Sequence, residues 1–226
     1  MRDEAKRRAA ERAVEFVEDH QVIGLGTGST TKFAIEEIGR RVRSGLKITG
    51  VPTSKNSEKL AIDLGIPLAD LNDVDKIDIT IDGADEIDPN FHMIKGGGGA
   101  LTREKLVALA SNYRIIVADE PKLVSSLGET RSLPVEVLPF AWRMSAGLLS
   151  NLGSKPVLRR NGESVFVTDN SNYILDCEFG KIADPPSLEK SIKLLPGVVE
   201  CGLFIAIADR VIIAFDDRVE VRERQR

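Results

Sequence analysis

Cysteine and histidine are both scarce in this chain of 226 residues. Cys177 and Cys201 stand far apart, without CxxC or Cys/His spacing, which excludes a zinc motif and a disulfide framework. Both are expected to pack as small hydrophobes. His20 and His92 are too few and too separated for a multi-histidine centre, so no metal is expected. Long apolar runs are missing as well. The opening MRDEAKRRAAERAVEFVED spaces its apolar residues along one helix face, which excludes a signal peptide or membrane span. A cytoplasmic protein without a membrane partner is the expectation. Positive charge is not in excess: 31 Lys and Arg against 35 Asp and Glu leave −4, and nothing recommends nucleic acid as a partner. Repeats and low-complexity tracts are absent. What remains is a chain long enough to bury a core in one large or two modest domains, with a small soluble ligand as its expected partner.

The densest chemistry lies in DITIDGADEIDPNFHMIKGGGGALTREK, residues 78–105. Ile77, Ile79 and Ile81 alternate with polar residues as in a strand, so Asp82 falls at a strand's C-terminal end, where open α/β sheets hold ligands. Asp82-Gly83-Ala84-Asp85 reads as a turn. Gly96, Gly97, Gly98 and Gly99 permit positive φ and close backbone approach before a helix that begins near Thr102. Any single Asp here is ordinarily a solvated loop residue. It is the convergence of Asp82, Asp85, Glu86, Asp88, Lys95 and Glu104 around glycines that marks a site, with His92 bordering it as a further candidate base.

A second signal comes earlier. The apolar strand Val22–Leu25 runs at once into Gly26-Thr27-Gly28-Ser29-Thr30 and a helix reaching about Arg43. Glycines let backbone N–H groups approach an anion, the hydroxyls of Thr27, Ser29 and Thr30 add donors, and the helix start adds a favourable dipole. The alternative is a plain tight turn. A dinucleotide fingerprint wants Gly where Ser29 stands and an acid about twenty residues on, and a Walker loop wants Gly-Lys-Ser/Thr; neither fits. Lys6 and Lys122 are surface lysines unless a second anion anchor is needed beside Gly28.

Further strands are expected at 47–51, 66–69, 77–81 and 114–118. Helices should start at about Thr53–Ser57, near Thr102, and again at Asp119-Glu120-Pro121-Lys122. Strands alternating with helices argue for a doubly wound, mainly parallel sheet. From about residue 130 the order becomes βαββαβ, with strands at 133–138, 155–160, 172–177 and 198–205 and helices at 140–152 and 187–195, the split unit of a ferredoxin-like α+β fold. Strand 210–215 and a charged tail return to the first domain. The expected organisation is therefore a Rossmann-like domain over 1–129 and 206–226, with a smaller domain inserted over 130–205. Trp142 is expected to serve packing or a subunit contact.

GLGTGST, GVPTS, DGADEID and KGGGGALTREK together resemble ribose-5-phosphate isomerase of type A, and LPVEVLP, TDNSNYILD and LPGVVE extend the resemblance over essentially the whole chain. VIGLGTGSTT and IPL are similar to the archaeal branch. The resemblance implies interconversion of ribose 5-phosphate and ribulose 5-phosphate, a sugar-phosphate ligand, no metal or organic cofactor, and a homodimer or homotetramer. It further implies Glu104 as catalytic base, with Asp82, Asp85 and Lys95 assisting. Substrate binding would fall to Thr27, Gly28, Ser29 and Thr30, to Asp82, Gly83, Ala84 and Asp85, and to Lys95, Gly96, Gly97 and Gly98, with Lys122 and Lys6 as anion-binding lysines. Gly99 stands where the family often has Ala, a change expected to leave the chemistry undisturbed. The rivals are a sugar-phosphate sensor, disfavoured because a single helix precedes the first strand where a DNA-binding module is needed, and an enzyme acting on another sugar phosphate.

Overall fold

The computed structural model describes residues 2–224. In chain order its elements are α1 (Arg2–Val14), β1 (Val22–Leu25), α2 (Ser29–Arg43), β2 (Thr49–Pro52), α3 (Lys55–Asp63), β3 (Ile77–Gly83), β4 (Glu86–Ile87), β5 (Met93–Ile94), α4 (Leu101–Leu109) and β6 (Ser111–Asp119). Then come β7 (Leu133–Val137), α5 (Trp142–Asn151), β8 (Lys155–Leu158), β9 (Arg160–Asn161), β10 (Ser164–Val165), β11 (Tyr173–Glu178), α6 (Pro185–Lys193), β12 (Val198–Cys201), β13 (Leu203–Phe204), β14 (Arg210–Ala214) and β15 (Val219–Glu223). Contacts divide the chain into two units. The larger holds residues up to Ala84, Arg103–Lys122 and those from Ile207 on; the smaller holds Asp85–Thr102 and Leu123–Ala206.

The larger unit is built on one sheet, ordered β15-β14-β6-β3-β1-β2 and parallel throughout except for the antiparallel edge strand β15. Its strands are rich in β-branched residues because a parallel sheet is covered on both faces. Ile23, Leu25, Ile79, Ile81, Ile115, Val117 and Ile212 are all buried, and α1 covers them with a small-residue face of Ala5, Ala9 and Ala13. Packing is close enough to require glycine at position 24, where a Cβ would lie 2.0 Å from Thr80 Oγ1. From β1 the chain crosses to β2 on one side and then to β3 on the other. The order therefore reverses between β1 and β3, and their C-terminal ends open a crevice of the kind that binds ligands.

The smaller unit carries a four-stranded sheet in the order β12-β7-β11-β8, every neighbouring pair antiparallel. Numbered within the βαββαβ unit, that order is 4-1-3-2, the split arrangement read from the sequence. Val135, Val137, Leu149, Leu175, Ile192 and the two cysteines form its core. Burial pushes the Cys177 thiol up to about 12, so it behaves as an inert apolar group.

Several expectations need correction. The strand at 66–69 is reduced to a single bridge, Gly50 to Leu68. The helix expected to open at Asp119 is a single 3₁₀ turn, Glu120–Lys122. The strand at 198–205 breaks at Gly202 into β12 and β13, because Gly202 presses on the Lys95 carbonyl, where a Cβ would sit 2.3 Å from the oxygen. The charged tail forms β15. Residues 85–102 and 123–129 group with the smaller unit rather than the larger, since β4 and β5 join β13 in a separate three-stranded sheet and Leu123 bridges to Ile87. Among the described residues no helix is long and apolar enough to cross a membrane.

Candidate active site

In the larger unit the structure brings together Thr27–Thr30, Asp82 and Lys6. Asp82, 2% exposed near the end of β3, accepts the Thr27 and Gly83 N–H groups on Oδ1 at 3.0 and 2.7 Å. This contact requires glycine at 26, where a Cβ would lie 2.2 Å from the same oxygen. Gly28, at φ +130°, starts α2 and has no side-chain cap, so the first-turn N–H groups face outward for an anion. Exposed Ser29 receives Lys6 Nζ on its Oγ at 3.2 Å, which puts an ammonium beside that helix start. The Thr27 hydroxyl is already engaged: Thr53, Ser54 and Ser57 hydroxyls lie 2.7, 2.8 and 3.1 Å from it, and Ser57 donates on to Gly26 O at 2.6 Å. Ser54 caps α3, as the sequence indicates, but with Thr53 and Ser57 it also braces the loop. That second role had a signal only in the run of hydroxyls at 53–57.

Glu104 lies in the first turn of α4 and is 4% exposed. The helix ends at the opposite edge of the sheet, where Ala110 O accepts the N–H of Ile77 at the start of β3. Its first turn therefore points toward the strands' C-terminal ends, the end that also carries Asp82 and Thr27. Lys122 occupies the turn after β6, likewise at that end.

The smaller unit brings together Asp85, Lys95 and the glycine run. The Gly97 N–H donates to Asp85 Oδ2 at 2.7 Å, and a Cβ on Gly97 would meet the same carboxylate. Lys95 is 2% exposed; its backbone N–H donates to Gly202 O at 2.9 Å, and its ammonium lies 5.4 Å from the Phe204 ring centre. Burial strips this side chain of water, and the aromatic face gives its nitrogen a partner in place of solvent. Gly99, at φ +82°, is required by packing, because a Cβ would lie 2.3 Å from the Phe166 ring. Glu86 and Glu136, both fully buried, turn out to be structural. Glu86 takes N–H donors from Gly128, Thr130 and Arg131, and Glu136 takes side-chain donors from Thr102, Thr168 and Asn172. Asp88 Oδ1 closes a turn by accepting from Asn90 and His92 N–H. His92 itself accepts the Ala206 N–H on Nδ1 at 3.3 Å, which commits that nitrogen to the backbone. Among the described residues one group of metal-ligating type occurs, Glu189, Glu200 and Cys201, and Lys193 already donates to Glu200 at 2.9 Å.

The model of the family described as ribose 5-phosphate isomerase A (phosphoriboisomerase A) matches residues 49–218. The chain is 48% identical over 221 residues to ribose-5-phosphate isomerase A 1 of Oceanobacillus iheyensis, covering 97% of this chain and 98% of that protein. It is 50% identical over 220 residues to ribose-5-phosphate isomerase A of Gloeobacter violaceus, covering 97% and 96%. A solved D-ribose-5-phosphate isomerase in complex with phospho-erythronic acid superposes with a TM-score of 0.95 at 44% identity, covering 98% of each chain. These relatives from bacteria do not support the archaeal branch hinted at by VIGLGTGSTT.

Proposed function

This chain belongs to the ribose 5-phosphate isomerase A family, and from that premise we propose that it interconverts D-ribose 5-phosphate and D-ribulose 5-phosphate, with Glu104 carrying the proton. Moving from aldose to ketose transfers a proton from C2 to C1 through an enediolate. The chemistry needs one base that takes and returns the proton, and groups that manage charge on the oxygens. Glu104, in the first turn of α4, is the base. Lys95 balances negative charge developing on oxygen, worth more from a desolvated ammonium than from one in water. Asp82 and Asp85 position hydroxyls and assist ring opening. The α2 start with Ser29 and Thr30, together with Lys6 and Lys122, holds the phosphate.

The observation that carries this reading is a buried acid, Glu104, five residues beyond Gly99 in the first turn of a helix aimed at the strands' C-terminal ends. A relative bound to phospho-erythronic acid supports it, since that ligand joins a phosphate to an acid resembling the enediolate's charged end. We propose with it a cytoplasmic location and a homodimer or homotetramer, and sedimentation of the purified chain tests the oligomer size. The deciding experiment compares ribose 5-phosphate with free ribose. Phosphate binding far from C1 and C2 holds the reacting carbons against the base, so kcat/KM for ribose should be lower by at least about 10³-fold. Equal values for the two sugars would remove the phosphate assignment, and no ketose from ribose 5-phosphate would remove the activity.

A further inference from the structure

We propose that Arg159, locked by Asp176, is a positioning residue that sets the orientation of the Asp85 carboxylate through a single peptide plane of the glycine run. The inference rests on the isomerase reading above, in which Asp85 handles substrate hydroxyls. Arg159 Nη1 donates to the carbonyls of Gly96 at 2.8 Å and Gly97 at 3.2 Å. In a trans peptide the C=O and the following N–H point in opposite directions. With the Gly96 carbonyl turned to Arg159, the Gly97 N–H must therefore point the other way, and that is where it donates to Asp85 Oδ2 at 2.7 Å. One amide thus bridges a guanidinium and a carboxylate. A charged partner at each end polarises it and strengthens both hydrogen bonds.

The guanidinium is itself held fast. Nε donates to Asp176 Oδ2 at 2.9 Å, Nη2 pairs with Asp176 Oδ1 at 2.5 Å, and the Arg159 side chain is 13% exposed. Phe166 lies beneath, its ring centre 5.7 Å from Cζ, and its own N–H donates to the Arg159 carbonyl at 3.0 Å across the β9–β10 hairpin. That ring also fills the space that a side chain at position 99 would need. Gly96 O receives the Gly99 N–H at 2.9 Å as well, so both its lone pairs are used, and a flip of the peptide would break these two bonds and the Gly97 bond to Asp85. In the isomerase reading these strut residues act on Asp85 through the loop.

The test compares Arg159→Ala, Arg159→Lys and Asp176→Asn with the wild type on ribose 5-phosphate. A misaimed carboxylate should lower kcat by about 10- to 10²-fold in Arg159→Ala, with KM held within about threefold because the phosphate contacts lie elsewhere. Millimolar guanidinium chloride should restore part of the lost kcat, and ammonium chloride should not. Arg159→Lys, which keeps the charge but loses the fork, should be impaired in the same sense, and Asp176→Asn less so. If Arg159→Ala does not fold, the Lys and Asn variants carry the same kcat against KM comparison. A folded variant with kcat within about twofold of wild type, or a loss shared equally by kcat and 1/KM that guanidinium leaves unchanged, overturns the proposal. Wild type that makes no ketose would instead remove the isomerase reading itself.

Discussion

Glutamine has nearly the shape of glutamate but accepts no proton, which makes Glu104→Gln the sharpest single-residue probe. The side chain is buried at the start of α4, and an amide fits the same space. The variant should keep its circular dichroism and its affinity for the sugar phosphate, while kcat falls by roughly 10² to 10⁴-fold, the usual worth of a positioned general base. Turnover in heavy water adds an independent reading, since an enediolate route should leave deuterium at the receiving carbon of the wild-type product. Near-normal kcat in a folded Glu104→Gln protein would move the base to Asp82 or Asp85. His92 is a poor substitute, because its Nδ1 already accepts a backbone N–H.

On α2, Glu37 sits one turn before Arg40 and Arg41 and accepts from both, with Arg40 Nε and Nη2 each at 2.7 Å and Arg41 Nε at 3.1 Å. The Arg40 hydrogen bond, working against burial, holds the Glu37 carboxyl below its ordinary 4.5. A depressed folded-state value adds stability above the unfolded value and loses it as pH falls through the folded one. Glu37→Gln should therefore cost about 0.5 kcal/mol at pH 7, a small figure because Arg40 is open to water. The gap between variant and wild type should begin to narrow as pH falls below about 4.5 and close only below the depressed folded-state value. Thermal melts at pH 7 and pH 4 measure it, and a gap that widened in acid would contradict the assignment.

How legible each element was depends on how local its cause is. The loop from Gly26 to Thr30 and the run from Asp82 to Glu104 were readable because glycines and acids at strand ends leave marks in sequence. The ferredoxin-like order was readable because its strands and helices carry their own periodicity. Strands β4, β5 and β13 were not, since two-residue strands have no period and exist only where distant backbone pairs. β15 was hidden by its charges: VEVRE reads as a tail, yet its backbone completes β14 from Arg210 to Ala214. The bracing of Thr27 by Thr53, Ser54 and Ser57, like the hold of Arg159 on the glycine run, depends on residues far apart in sequence. Spacing cannot reveal such contacts.

For the molecule as a whole, the telling feature is that the chain leaves the larger unit at Ala84 and Lys122 and re-enters it at Arg103 and Ile207. β6 waits for its second neighbour until β14, with Ile115 to Ala118 opposite Arg210 to Ile213 in the finished sheet. During synthesis, therefore, a ribosome must make the ninety residues 120–209 after β6 before the first residue of the strand that covers that edge appears. Until then a run of Ile115, Ile116 and Val117 presents open backbone to any other strand. A chain stopped at residue 206 should accordingly be recovered mostly as aggregate, whereas the full chain made under identical conditions should stay in solution. A soluble, folded 206-residue product would show that the smaller unit shields β6 by itself. The order in which this protein leaves the ribosome thus sets a window of vulnerability that its finished form conceals.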